Sequence, residues 1–178
     1  MSNPTIGFIG YGNMAQAIAE GLVAAGAAKV GATPLRTAAE VADAADVVII
    51  AIKPYQIESV IKPIAGALAN ESTFVVSIAA GWDLARYREL FGADFGAMHI
   101  QCTIPNKLFS SISLIERVDS AHMGIGMCIA GCAPAFTDMY IEALGDAGVK
   151  YGLQRATAYR LAAKMVEGVG ALYLANET

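Results

Sequence analysis

The chain has 178 residues, 56% of them hydrophobic, and a formal net charge of −4, which suits one full domain or a domain with a helical appendix and a sizeable buried core. With a pI near 5.1 and no basic block, it is not expected to bind nucleic acid. The longest strongly apolar run, Val47-Val48-Ile49-Ile50-Ala51-Ile52, is far too short to cross a bilayer, so no membrane partner is expected. Met1-Ser2-Asn3-Pro4-Thr5 lacks the basic and apolar regions of a signal peptide, which points to a cytoplasmic protein.

In chain order, the short apolar run Ile6-Gly7-Phe8-Ile9 reads as a strand, and Gly10-Tyr11-Gly12-Asn13-Met14-Ala15 follows it directly. Strand, then G-x-G-x-x-A, then helix is the phosphate-cradling turn of a dinucleotide-binding unit. Gly10 permits the tight turn, Gly12 lets the backbone approach a pyrophosphate, and Ala15 is small enough for close helix–strand packing. The helix N-terminus offers free N–H groups and partial positive charge to the phosphates. Alone the motif is weak in a chain rich in Gly and Ala. Its placement gives it weight, because Met14, Ile18, Leu22 and Ala25 continue at helical spacing to about Gly26.

Thr37 to Ala45 reads as a short helix, and Val47 to Ile52 as a strand buried on both faces of a parallel sheet. Ile57, Val60, Ile61, Ile64 and Leu68 recur at helical spacing, with Pro63 expected to kink that helix or start a new turn. Thr73 to Ala79 is the next strand, broken by Ala80-Gly81. Asp83 then caps a helix burying Leu84, Tyr87 and Leu90. Met98 to Thr103 and Ile112 to Glu116 read as two further strands. This alternation is that of an α/β sheet with helices on its faces.

From Asp119 onward the pattern is helical: about Asp119 to Ile129, a second helix opening at Pro134, and a third over about Arg155 to Ala175. The expected organisation is a Rossmann-like parallel-sheet domain over residues 1–117 followed by an all-helical domain over 118–178. The surplus apolar surface points to subunit contacts. Cys102, Cys128 and Cys132 form an odd set without C-x-x-C spacing, so neither structural disulfides nor a metal site is expected. His99 and His122 read as structural.

Four motifs resemble the pyrroline-5-carboxylate reductases of proline biosynthesis. They are Gly7-Phe8-Ile9-Gly10-Tyr11-Gly12-Asn13-Met14-Ala15, Ala51-Ile52-Lys53-Pro54, Ser77-Ile78-Ala79-Ala80-Gly81, and Gly131-Cys132-Ala133-Pro134-Ala135-Phe136 continuing through Ile141 to Leu153. The resemblance covers most of the chain. It implies NADPH- or NADH-dependent reduction of 1-pyrroline-5-carboxylate to proline by a Rossmann domain and a helical dimerisation domain, as a homodimer or higher homo-oligomer. It further implies cofactor contacts from Gly10, Tyr11, Gly12, Asn13, Met14, Ala51, Ile52, Lys53, Pro54, Ala79, Ala80 and Asn106. Substrate contacts would come from Cys132, Ala133, Pro134 and Glu177.

The chain departs from the family pattern in several places. Only about twenty residues separate the first helix from Val47, where the family has a further strand and helix. No carboxylate stands about 20 residues past the glycine turn to hold a ribose, and Arg36 is the nearest candidate for a 2′-phosphate, with a surface role the simpler reading. Lys107-Leu108-Phe109 follows Ile104-Pro105-Asn106 without the family's loop, strand and helix, and the region of the family's proton-donating hydroxyl would lie past Thr178. Cys132 and Ala133 replace the usual Ser and Gly, and Cys132 reads most simply as a small packing residue. These shortenings predict a working protein longer than 178 residues, which an intact mass near 18.5 kDa would refute. Two rival readings stand beside the reductase: a reductase of another small substrate, and a catalytically inactive nucleotide-binding or regulatory relative.

Overall fold

The computed structural model describes residues 4–29, 31–69, 73–92 and 107–176. The chain forms two compact units, Met1–Ser120 and Ala121–Thr178.

The first unit is built on three parallel strands, β1 (Ile6–Ile9), β2 (Val47–Ile50) and β3 (Phe74–Ser77), in the order β1-β2-β3. Ile6 registers with Val47 and Val47 with Phe74, so the three carboxyl ends lie at one edge. All four residues of β2 are buried, because a central strand presents alternate side chains to two covered faces. Val48 and Ile50 join Ile9 in a core with Ala42, Ala45, Ile57, Ile61, Leu68 and Tyr87. Val47 and Ile49 join Leu22 and Leu108 on the other face. Full burial of one such side chain contributes about 1.5–3 kcal/mol, so β2 is the element the unit can least afford to lose.

Helix α1 (Asn13–Ala24) covers one face together with the segment around Leu108 and Ile112. Helices α2 (Ala38–Ala44), α3 (Ile57–Ile61), α4 (Ala65–Leu68) and α5 (Leu84–Phe91) cover the other. Thr37 Oγ1 accepts from the Glu40 N–H and Asp83 from the Arg86 N–H, so both act as helix caps. Pro63 interrupts the expected long helix as a single 3-10 turn, Lys62–Ile64, between α3 and α4. Gly7 faces α2 so closely that a Cβ there would stand 2.6 Å from Val41 Cγ1. Among the described residues no strand pairs with the outer edge of β1, the consequence of the short α1–β2 connection.

The expected strand Ile112–Glu116 is absent. Residues 111–113 form a turn and bend, and 114–119 have no regular structure. Ile112 alone of this run packs into the core, whereas Leu114 is 69% exposed. Among the described residues no strand pairs with this run, so it has no ladder to join there. The strand expected over Met98–Thr103, which includes His99 and Cys102, lies outside the described residues, as does Asn106.

The second unit contains α6 (Met123–Met127), a π-helical turn (Cys128–Cys132), α7 (Ala133–Lys150) and α8 (Arg155–Ala175). The expected break between Ile129 and Pro134 does not occur; the helix runs on from Met123 to Lys150. Pro134 has no N–H for the Ala130 carbonyl and crowds it. The preceding turn widens instead, and the Ala133 N–H reaches back to the Cys128 carbonyl in the five-residue pattern of a π-helix. The start expected near Asp119 moves to Met123. By length and apolar content alone this 28-residue helix would also suffice to span a membrane, unlike the short run at Val47–Ile52. Asp138, Glu142 and Asp146 on successive turns of α7 weigh against that use.

Helices α7 and α8 pack through small residues. Gly145 is buried against the Tyr159 ring, where a Cβ would stand 2.5 Å away, and Gly148 lies against Ala158. Tyr159 donates to Asp146 at 2.7 Å and accepts from Arg155 at 2.7 Å, with the guanidinium 4.5 Å from the ring centroid. The hydrogen bond to the Asp146 carboxylate holds the Tyr159 proton and raises its pKa above 10.0.

Candidate functional site

In an open parallel sheet, ligands bind beyond the carboxyl ends of the strands. Three backbone segments meet there: the Gly10–Gly12 turn after β1, Ala51–Pro54 after β2, and Ile78–Gly81 after β3. Gly10 has φ +88°, in the left-handed region, and a Cβ there would lie 2.7 Å from Ile52 Cγ2 and 2.8 Å from the Ala51 carbonyl oxygen. Glycine is therefore required twice at this position, for conformation and for space. Gly12 differs: its backbone is extended at φ −86°, ψ −172°, and a Cβ would meet nothing within 4 Å. Packing within the described residues therefore does not require glycine at position 12.

Gly12 is also the N-cap of α1. No side chain caps that end, and no acidic residue occupies its first turn. The first N–H groups of a helix have no intrahelical acceptor, so Asn13, Met14 and Ala15 present donors and partial positive charge without a competing carboxylate. That is the donor set a pyrophosphate needs, and the fit to a dinucleotide is good. Tyr11 and Met14 stand 51% and 65% exposed beside the turn, and the Tyr11 ring packs edge-on against Phe8 at 5.6 Å. Lys53 is exposed and is the cation among the sequence-derived contacts.

Hydrogen bonds hold the other two segments in shape. The Lys53 N–H donates to Gln56 Oε1 at 3.3 Å, and the Trp82 indole N–H donates to the Pro54 carbonyl at 3.2 Å. The Ala79 N–H donates to Ser77 Oγ at 3.2 Å, and Ser77 Oγ pairs with the Tyr87 hydroxyl at 2.5 Å. Burial raises the Tyr87 pKa above 10.0, partly offset by the Ser77 hydrogen bond. Gln56, Ser77, Trp82 and Tyr87 thus shape the site but were not among the sequence-derived contacts. The signal available for Trp82 was its position as the chain's single tryptophan, directly after Ala80-Gly81.

Of the sequence-derived contacts, Gly10 to Met14, Ala51 to Pro54, and Ala79 with Ala80 lie at this one edge of the first unit. Cys132, Ala133 and Pro134 lie in the second unit, with Cys132 exposed at the end of the π-helical turn. Asn106 and Glu177 lie outside the described residues. Ala133 also lines a groove of about 460 Å³ with Phe136, Thr137, Tyr140, Met165 and Val169. The groove is apolar and lacks converging charged groups, which is the character of a helix-docking face more than of a polar-ligand pocket.

Comparison with known proteins agrees with this reading of both units. A family model described as pyrroline-5-carboxylate reductase dimerisation matches residues 120–178, and one described as NADP oxidoreductase, coenzyme F420-dependent, matches residues 5–36 and 27–81. Pyrroline-5-carboxylate reductase of Treponema pallidum is 35% identical over 216 residues, covering 94% of this chain and 81% of the relative. That of Escherichia coli is 32% identical, covering 95% and 79%. Because the first alignment runs over more positions than this chain's 178 residues, the relative carries stretches with no counterpart here. Among solved structures, Plasmodium falciparum pyrroline carboxylate reductase with NADP bound shares the fold at TM-score 0.82 and 24% identity, covering 100% of this chain and 81% of that one. The Coxiella burnetii enzyme does so at 0.79 and 23%, covering 99% and 82%.

Fold and site together define an oxidoreductase of the Rossmann type with a helical second unit. At 35% identity across most of both sequences, the narrower assignment follows: the chain belongs to the pyrroline-5-carboxylate reductase family.

Proposed function

We propose that this chain reduces 1-pyrroline-5-carboxylate to L-proline, with NADPH or NADH as hydride donor. The observation that carries the reading is the open backbone at Gly12 before the uncapped N-terminus of α1. The bound nicotinamide would supply the hydride; the chain supplies binding, orientation and exclusion of water. The N–H groups of Asn13, Met14 and Ala15 hold the pyrophosphate. Small side chains at Ala51, Ala79 and Ala80 let a flat ring lie against backbone, and Ile52 and Pro54 shield it from solvent. Hydride transfer requires donor and acceptor carbons roughly 3–3.5 Å apart, and such shaping replaces a nucleophile or metal. Asn106 is assigned to the cofactor; Cys132, Ala133, Pro134 and Glu177 are assigned to the substrate.

The assembly is a homodimer or larger, built through the second unit, whose Phe136, Met139, Leu161 and Leu172 are 59–70% exposed. A cytoplasmic setting fits the exposed free thiols of Cys128 and Cys132. The test is oxidation of NADPH or NADH by the complete protein, with and without pyrroline-5-carboxylate. Substrate-dependent oxidation supports the proposal. Coenzyme binding without turnover favours a regulatory relative, and failure to bind either coenzyme refutes both readings.

A further inference from the structure

We propose that Trp82 is a positioning residue that sets the distance between the two backbone walls of the cofactor's reactive end. The inference rests on the cofactor reading above and goes beyond it in assigning the spacing of the walls to one side chain. Strand pairing stops at Ile50 and Ser77. Just beyond those residues the Ala51 N–H still donates to Ile9 at 2.9 Å and the Ile78 N–H to Ile50 at 3.2 Å; after these two bonds the segments Ile52–Pro54 and Ala79–Gly81 leave the sheet. The Trp82 indole N–H then crosses from one to the other and donates to the Pro54 carbonyl at 3.2 Å.

The indole is itself held on several sides. Gly81, in the turn just before Trp82, has φ +76°, a conformation that L side chains rarely adopt. The Arg86 guanidinium lies 5.3 Å from the indole centroid and donates to the Gly81 carbonyl at 3.0 Å. The Tyr87 ring packs 5.2 Å from the indole, and the Tyr87 hydroxyl is bonded to Ser77 at the end of β3. Trp82 is half-buried and so is fixed from the β3 side while its one polar atom grips the β2 side. With both ends of the crossing anchored, removing the indole donor lets the walls part at the end of the cofactor that reacts. The pyrophosphate turn at Gly10–Ala15 makes no use of Trp82.

The test separates the two ends of the cofactor. Dissociation constants for intact NADPH and for its fragment adenosine 2′,5′-bisphosphate are measured by calorimetry on the wild-type chain, Trp82→Phe and Trp82→Ala. Trp82→Phe keeps a ring beneath Arg86 but loses the donor, and it should weaken NADPH by about five-fold, the range of one hydrogen bond. Trp82→Ala should weaken it by roughly twenty-fold as the stacking on Arg86 and Tyr87 is lost as well. Fragment binding should stay within about two-fold of wild type in both. NADPH binding unchanged in both variants overturns the inference, as does an equal loss for NADPH and fragment, which would mark a general effect on the fold. A wild-type chain that binds neither NADPH nor NADH fails the cofactor reading itself, and that failure appears without any substitution. A second measurement needs no variant. Because Trp82 is the only tryptophan, exciting it should give sensitised emission from bound NADPH that the fragment displaces. Bound NADPH with no sensitised emission would overturn the placement.

Discussion

Alanine at Gly10 and alanine at Gly12 should fail in opposite ways, although the two glycines stand two residues apart in one motif. At Gly10 the φ of +88° places an alanine in the left-handed region at a cost of about 1–2 kcal/mol. Its Cβ would also sit 2.7 Å from Ile52 Cγ2 and 2.8 Å from the Ala51 carbonyl oxygen. The Ile52 methyl can rotate away, but the Ala51 carbonyl belongs to backbone whose N–H donates to Ile9 at 2.9 Å. Overpacking of this kind adds roughly 1–3 kcal/mol. Gly10→Ala should therefore lose about 3 kcal/mol, which lowers the melting temperature by about 10 °C in a unit of this size. At Gly12 the extended backbone and empty surroundings leave only the weaker N-cap preference of alanine, about 0.5 kcal/mol or 2 °C. The same Cβ points where the pyrophosphate is proposed to lie, so Gly12→Ala should raise the NADPH dissociation constant at least about ten-fold. Differential scanning fluorimetry and calorimetric titration of both variants check this. A Gly12→Ala chain that binds NADPH as tightly as wild type would refute the placement of the phosphates, and a Gly10→Ala chain with an unchanged melt would refute the strain argument.

Three further outcomes are expected. Gly145→Ala should destabilise the α7–α8 pair by a net of about 1–2 kcal/mol, since overlap with the Tyr159 ring at 2.5 Å costs roughly 2–3 kcal/mol against a gain of roughly 1 kcal/mol in helix propensity; an unchanged circular-dichroism melt would contradict it. Leu172→Asp, placing a charge at a position 61% exposed on α8, should shift the protein toward monomer in sedimentation velocity, and an unaltered assembly would remove this face from the interface. Tyr87 and Tyr159 both have folded-state pKa values raised above 10.0. Their contribution to stability is complete below pH of about 10 and is lost as pH rises through the raised values. The melting temperature should fall in that alkaline window, and less steeply in the Tyr87→Phe, Tyr159→Phe double variant.

Much of the fold could be read along the chain. Apolar β-rich runs located β1, β2 and β3, and the helical repeat of Ala158, Leu161, Ala162, Met165, Val169 and Leu172 matches α8 over Arg155–Ala175. Asp83 announced a helix start because capping is a local bond between neighbours, while the cap at Thr37 emerged with the structure. The misread regions were those where distant or competing groups decide. Ile112–Glu116 has strand-like residues but, among the described residues, no strand to pair with, and the turn before Pro134 widened where a break was expected. The glycine turn and the separate duties of Gly10 and Gly12 were legible in the motif, whereas the close approach of Ala51 and Ile52 to Gly10 came only with the fold.

What the residues determined by themselves was the succession of strands, helices and caps and the presence of a nucleotide turn, because periodicity, capping and backbone freedom are set within a few positions. Which segments would meet at the sheet's edge was decided only by tertiary structure. Ala51 approaches Gly10, and Trp82 reaches Pro54 from 28 positions away, because parallel pairing brings three carboxyl ends together and a hydrogen bond depends on distance in space, not along the chain.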